Sequence, residues 1–409
     1  MKPAQRLPRS FWCAAGLTLV LLLWLGVPRS AAYFVPGDPK KGMKLFFEKG
    51  CATCHSVLGE GGRRAPDLAR FPAGHLNVAQ LVAAMWNHAP DMWEKMELEG
   101  HAPPHFTNEE MTDLFSFLYS VRSFDEPGSA ERGRRVMLEK RCATCHSVEG
   151  QGGRLGPNLS AWAAYRNPVV WAQAMWNHAP QMQQVMATRG FAWPVFAGTE
   201  MADLIAYVQS QTPSGAAIHM VLPDAARGRH LFEAKGCVRC HGAASRTRNS
   251  TDRIQKGPRL IARGFPQTLG QFAGLMWNHS PQMWERMRAE GIPRPHFTRG
   301  EMADLIAYLF SEQFMDTRGN LLRGQQVFSA KGCSNCHTSA GGRAPLGPDA
   351  AAWKDKLAAV DLATAMWNHG PVMLETMRKA KLSWPRFQED EVSDLLEFLR
   401  SGRAVAEKR

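Results

Sequence analysis

The residues in this chain best suited to chemistry are eight cysteines set in four copies of Cys-x-x-Cys-His: Cys51, Cys54 and His55; Cys142, Cys145 and His146; Cys237, Cys240 and His241; Cys333, Cys336 and His337. Two thiols three residues apart on a turn can reach the two vinyl groups of one haem, and the adjacent imidazole then falls beneath the iron as a proximal ligand. The spacing predicts four covalently bound haems c, each cysteine forming a thioether and each motif histidine ligating iron. Zinc would need a second Cys or His pair per copy at ligand spacing, and none recurs. A thioredoxin-like pair has no need of the histidine and belongs to a βαβ pattern.

The elements that must position these groups repeat with them. Successive first cysteines are 91, 95 and 96 residues apart, the length of a small domain rather than of a solenoid repeat. A glycine precedes each first cysteine by nine residues (Gly42, Gly133, Gly228, Gly324), and apolar pairs three and four residues after it mark a short amphipathic helix. Downstream each copy carries Met-Trp-Asn-His (Met85–His88, Met175–His178, Met276–His279, Met366–His369), then Pro and Met at two-residue steps. A phenylalanine follows each of those histidines by 18 residues (Phe106, Phe196, Phe297, Phe387), and a glutamate four residues later opens a last helix with apolar positions at i, i+3, i+4 and i+7. No stretch alternates long enough to argue for strands. The fold expected is all-α: four tandem small helical domains over residues 33–124, 125–213, 214–314 and 315–409, each wrapped around one haem on which its small core leans.

Residues 1–32 read as an export signal. Lys2, Arg6 and Arg9 precede an apolar run from Phe11 to Val27, and Ser30-Ala31-Ala32 offers a small-residue cleavage site. An uncleaved anchor is the second reading of the same segment, and Cys13 within it is incidental. This is the only long apolar run, so a polytopic membrane protein is excluded, and 44% hydrophobic content excludes disorder as the main state. The formal charge of +12 raises the question of nucleic acid. Removing residues 1–32 leaves +8, which the propionates of four haems would largely offset, so no nucleic-acid partner is expected.

With these motifs in place, the chain resembles the class I, monohaem-type c-type cytochromes in four tandem copies. The resemblance rests on the glycine before the motif, on Cys-x-x-Cys-His, on a following Gly-Pro-x-Leu and on a last helix with an aromatic. Gly-Pro-x-Leu stands at Gly156–Leu159 and Gly257–Leu260 and is altered to Ala65-Pro66-Asp67-Leu68 and Gly347-Pro348-Asp349-Ala350. The resemblance implies that the carbonyls of Pro66, Pro157, Pro258 and Pro348 accept a hydrogen bond from the proximal imidazoles. It also implies helix crossings at Gly42 with Phe117, Gly133 with Tyr207, Gly228 with Tyr308 and Gly324 with Phe398.

The sixth iron ligand departs from the family pattern. Many relatives place it in Met-Pro-x-Phe, yet here that stretch begins with Pro103, Trp193, Arg294 or Trp384. Each copy instead offers the Met and His of Met-Trp-Asn-His, the Met of Pro-x-Met, and a Met four residues on (Met96, Met186, Met287, Met377). The favoured expectation is Met92, Met182, Met283 and Met373, with the proline starting a helix that leaves the thioether near the haem edge. The alternative is His88, His178, His279 and His369, giving bis-histidine haems. Trp86, Trp176, Trp277 and Trp367 are expected to pack on haem. A Ser-, Thr- and Arg-rich loop from Ser245 to Lys256 reads as a solvated insertion.

The function expected is electron transfer by a tetrahaem cytochrome on the periplasmic or extracellular side, between redox proteins or with a membrane respiratory complex. No catalytic residue is assigned. An enzyme with one open haem acting on peroxide or nitrite, or a subunit of a membrane complex or filament, is the alternative. Contact with a membrane is expected only through an uncleaved N-terminus.

Overall fold

The computed structural model describes residues 37–70, 77–121, 128–162, 168–211, 223–241, 257, 260, 268–298, 300–313, 319–339, 346–350, 358–388 and 390–402. All described residues belong to one compact unit. Residues 1–32, Pro258 and the loop from Ser245 to Lys256 lie outside the described residues.

Among the described residues each copy has three α-helices, and the all-α expectation holds. The first has α1 (Pro39–Glu48), α2 (Val78–Leu98) and α3 (Asn108–Val121). The second has α4 (Ala130–Glu139), α5 (Pro168–Thr188) and α6 (Glu200–Ser210). The third has α7 (Ala225–Ala234), α8 (Leu269–Ala289) and α9 (Glu301–Gln313). The fourth has α10 (Leu321–Ala330), α11 (Ala359–Lys379) and α12 (Glu391–Ser401). Strand pairing among the described residues is confined to two tight ladders of two residues a side, after His55 and after His146.

The first and last helices of each domain cross where the glycine removes a side chain. A Cβ at Gly42, Gly133, Gly228 or Gly324 would run into the carbonyl of Asp113, Asp203, Asp304 or Asp394 and come within 2.7–2.8 Å of the Cβ of Phe117, Tyr207, Tyr308 or Phe398. These are the four glycine-aromatic pairs that the resemblance implied. Next to each crossing the buried aspartate of the last helix clasps the start of the first. Asp203 accepts the Ser129 amide at 2.7 Å and both arms of Arg132, at 2.9 and 2.8 Å. Asp304 and Asp394 hold Asp224 with Arg227, and Asn320 with Arg323, in the same way.

The first domain lacks the guanidinium. Asp113 takes the Asp38 amide at 2.6 Å, but Lys41 stands where the others have arginine and reaches Glu109 instead. Burial therefore raises the Asp113 carboxyl above its ordinary value. At Asp203 burial also pushes upward, but Arg132, Ser129 and Thr199 outweigh it and hold the carboxyl low. The linkage signs are opposite. Asp203 contributes stability above about pH 4 that is lost as pH falls through its folded value, whereas Asp113 loses stability as pH rises from about 4 through its folded value. Lys41→Arg is expected to supply the missing fork and raise the protection of α1 and α3. It should also make their pH dependence match that of α4 and α6, as read by hydrogen exchange across pH and corrected for intrinsic rates.

The domains do not pack in chain order. The long middle helices pair as α2 with α11 and α5 with α8, so the first domain lies against the fourth and the second against the third. Each pair is joined by a reciprocal set of hydrogen bonds. Trp86 and Trp367 donate their indole N–H to Pro385 and Pro104. Asn87 gives to and takes from the backbone of Phe387 at 2.8 Å each way, and Asn368 does so with Phe106 at 2.7 and 3.0 Å. The inner pair repeats this with Trp176 to Pro295, Trp277 to Pro194, and Asn177 and Asn278 on Phe297 and Phe196. The Tyr119 hydroxyl, donating to the Phe310 carbonyl, ties the first domain to the third.

Candidate functional site

Each Cys-x-x-Cys pair sits on a 3-10 turn directly after the first helix of its domain. The chain enters that turn through a left-handed residue, φ 82° at Gly50, 78° at Gly236 and 77° at Gly332, but the second domain uses Arg141 at 59°. A side chain in that region costs about 1 kcal/mol. Arg141→Gly is accordingly expected to stabilise the second domain by about that amount in a denaturant titration.

The turn is closed by the loop that returns over it. The amides of Ala65, Gly156, Gly257 and Gly347 donate to the carbonyls of Cys54, Cys145, Cys240 and Cys336 at 2.7–3.0 Å. That loop then lies flat on the proximal imidazole. A Cβ at Gly156 or Gly347 would stand 2.6 Å from Nδ1 of His146 or His337, and one at Gly257 would stand 3.1 Å from His241. The next residue supplies the acceptor: Nδ1 of His55, His146 and His337 is 2.9 Å from the carbonyl of Pro66, Pro157 and Pro348. A carbonyl can only accept, so Nδ1 carries the proton and Nε2 keeps a lone pair for a metal. Pro258, the corresponding residue in the third domain, lies outside the described residues.

Burial pushes the thiols of Cys51, Cys142, Cys237 and Cys333 up to about 11, so near neutrality they are protonated and poor donors to a free metal ion. Among the described residues no group of three or more His, Cys, Asp or Glu could hold a metal ion. The donor set is two thiols and one imidazole per domain, the imidazole oriented by a proline carbonyl in the first, second and fourth, which suits covalent attachment of a ring carrying its own metal.

In the second domain these groups open into a cavity of about 620 Å³, lined by Cys142, Cys145 and His146 on one side and by His178, Met182, Met186, Trp193 and Pro194 on the other. His178 thus faces His146, with ring centroids 6.0 Å apart and planes at 70°. The same facing pair recurs as His241 with His279 at 6.5 Å and His337 with His369 at 6.2 Å. Burial first, and the neighbouring proximal imidazole second, lower His178, His279 and His369 below the usual imidazole value, which favours their neutral form, in which one ring nitrogen keeps a lone pair.

The cytochrome c family model matches residues 39–122, 130–212, 225–312 and 321–403. The chain belongs to the cytochrome c family. No curated protein matches it. Cytochrome c domains carry covalently attached haem and transfer electrons with it, and the thiol pairs, oriented imidazoles and cavity found here fit that group.

The sequence-expected residues are not all brought to these cytochrome sites. The motif cysteines and histidines are, as are Met182 and His178. The tryptophans expected on haem are engaged elsewhere. Trp176 does not line the cavity of its domain, and Trp86, Trp176, Trp277 and Trp367 are buried at the domain pairs with their indole N–H groups given to the neighbour. Met175 and Met276, first residues of the same motif, meet at that interface beside Trp176 and Trp277. The proline expected to start a helix instead lies inside one: Pro90, Pro180, Pro281 and Pro371 interrupt continuous helices of 21 residues. Proline has no N–H for the carbonyl four residues back. In α2 and α8 that carbonyl belongs to Trp86 and Trp277, and each takes the indole N–H of a loop tryptophan from the partner domain, Trp384 at 3.2 Å and Trp193 at 3.1 Å. Sequence reasoning missed these loop tryptophans. His101, His105, His230 and His296 are exposed.

Proposed function

We propose that the chain is a four-haem c-type electron carrier that works outside the cytoplasm between redox partners. Cys51 with Cys54, Cys142 with Cys145, Cys237 with Cys240 and Cys333 with Cys336 would form the thioethers, and His55, His146, His241 and His337 would ligate iron. The observation that carries this reading is the proximal imidazole, oriented by a proline carbonyl with Nε2 left free, beside a buried thiol pair. Haem when bound supplies a one-electron couple. The protein's part is to fix the ligand, exclude water and set the polarity around the ring.

Export is supported by the basic, apolar and small-residue order of residues 1–32 and by the attachment chemistry itself. No described helix is long and apolar enough to cross a membrane. The electron donor and acceptor are redox proteins or a membrane respiratory complex. Denatured protein should retain four haems per chain after acid-acetone extraction, and N-terminal sequencing of material from the exported fraction should begin at Tyr33. Extractable haem, or fewer than four per chain, rejects the reading.

A further inference from the structure

We infer that His178, His279 and His369, and by register His88, are the second axial ligands, so that each iron is held between two histidines and by no methionine. This rests on the haem reading above.

The argument is geometric. A metal between two imidazoles bound through Nε2 needs about 2.0–2.1 Å for each bond and about 1 Å more from each nitrogen to its ring centre, which sets the centroids about 6 Å apart. The three facing pairs stand 6.0, 6.5 and 6.2 Å apart. That gap holds one metal atom and nothing larger. A methionine could ligate on this side only if the facing histidine left its place. Met182 lines the same cavity one helical turn past His178, and its position makes it a wall of that cavity.

Orientation agrees with position. Nδ1 of His88 lies 2.8 Å from the Ala84 carbonyl, which fixes Nδ1 as the donor and leaves Nε2 with its lone pair. In the first domain the proximal ring of His55 is fixed in the same sense by the Pro66 carbonyl, so there both imidazoles would present Nε2. The helix explains why one motif serves two purposes. At about 100° per residue, Trp and Asn turn toward the neighbouring domain and the following His turns into its own cavity. The interface bonds of Trp176 and Asn177 thereby lock the rotation that aims His178 at His146.

The test uses the full-length holoprotein once covalent haem has been counted. The native ferric protein is expected to lack the methionine-to-iron charge-transfer band in the near-infrared and to be low-spin throughout. Planes crossed at 63–76° predict a strongly anisotropic low-spin resonance. His178→Ala should turn one haem of the four high-spin and open to carbon monoxide, while Met182→Leu should keep all four low-spin and closed. Four covalent haems with a methionine band would overturn this assignment and leave the electron-carrier reading standing. Loss of low-spin character in Met182→Leu but not in His178→Ala would do the same. Should either variant fail to fold, the native spectrum alone decides, and absent covalent haem would sink the function itself.

Discussion

Trp277→Ala is expected to destabilise the second and third domains together by about 3–5 kcal/mol, the cost of emptying a buried tryptophan site. Trp277 is 4% exposed, stacks on Trp193 with centroids 4.2 Å apart, and donates to the Pro194 carbonyl at 2.7 Å. Removing the indole takes away the face on which Trp193 lies and strips the half-buried Pro194 carbonyl of its donor, which adds to the cavity term. The loss belongs to both domains because the contacts cross between them. Hydrogen exchange should accelerate in α5, α6, α8 and α9 alike while α2, α3, α11 and α12 keep their protection. Loosening confined to the third domain would show that the pairing does not hold the domains, and equal loosening of all four would show that the two pairs are not separate units of stability.

Legibility in the sequence followed the range of the interaction. In the first copy the thiol pair, its histidine and the returning proline lie within 15 residues of one another, and the chemistry tolerates few substitutes, so residue types located Cys51, Cys54 and His55, and the family resemblance they carry located Pro66. The helix crossings were legible through the same resemblance, and the structure supplies their reason: only glycine admits the carbonyl of Asp113 or Asp203 at that distance. The domain pairs were not legible. Asn278 meets Phe196 across 82 residues and Asn87 meets Phe387 across 300, and a motif repeated identically in every domain gives no sign that its partner lies in another. What could have shown it is where the copies differ. A tryptophan follows the motif in the first and third domains (Trp93, Trp284), where the others have Gln183 and Leu374, and a loop tryptophan appears only in the second and fourth (Trp193, Trp384). The structure joins each kind to the other: Trp93 meets Trp384 at 5.7 Å and Trp284 meets Trp193 at 5.9 Å. That complementarity says unlike copies pair but leaves open which, so the choice of first with fourth needed coordinates. The proline misled because its missing N–H reads as a helix start, whereas here the freed carbonyl is an acceptor for the partner's indole.

Gly228→Ala is expected to remove about 3 kcal/mol from the third domain, at the upper end of overpacking costs because the obstacle is backbone and cannot rotate away. The added methyl meets the Asp304 carbonyl and stands 2.8 Å from the Tyr308 Cβ, so α7 and α9 must separate. Separation undoes more than one contact. It lengthens the Asp304 bond to the Asp224 amide, now 2.8 Å, and it shifts the end of α7, from which Gly236 leads into the Cys237 turn. The expected readout is therefore double: a lower unfolding midpoint for the third domain and, in protein matured with haem, a count falling from four toward three per chain. The second domain should weaken with it, because Pro194 and Phe196 take their hydrogen bonds from α8. A variant with an unchanged midpoint and four haems would mean that the crossing has room that the glycine only fills by chance, and the same substitution at Gly42, Gly133 and Gly324 would then have to be equally silent.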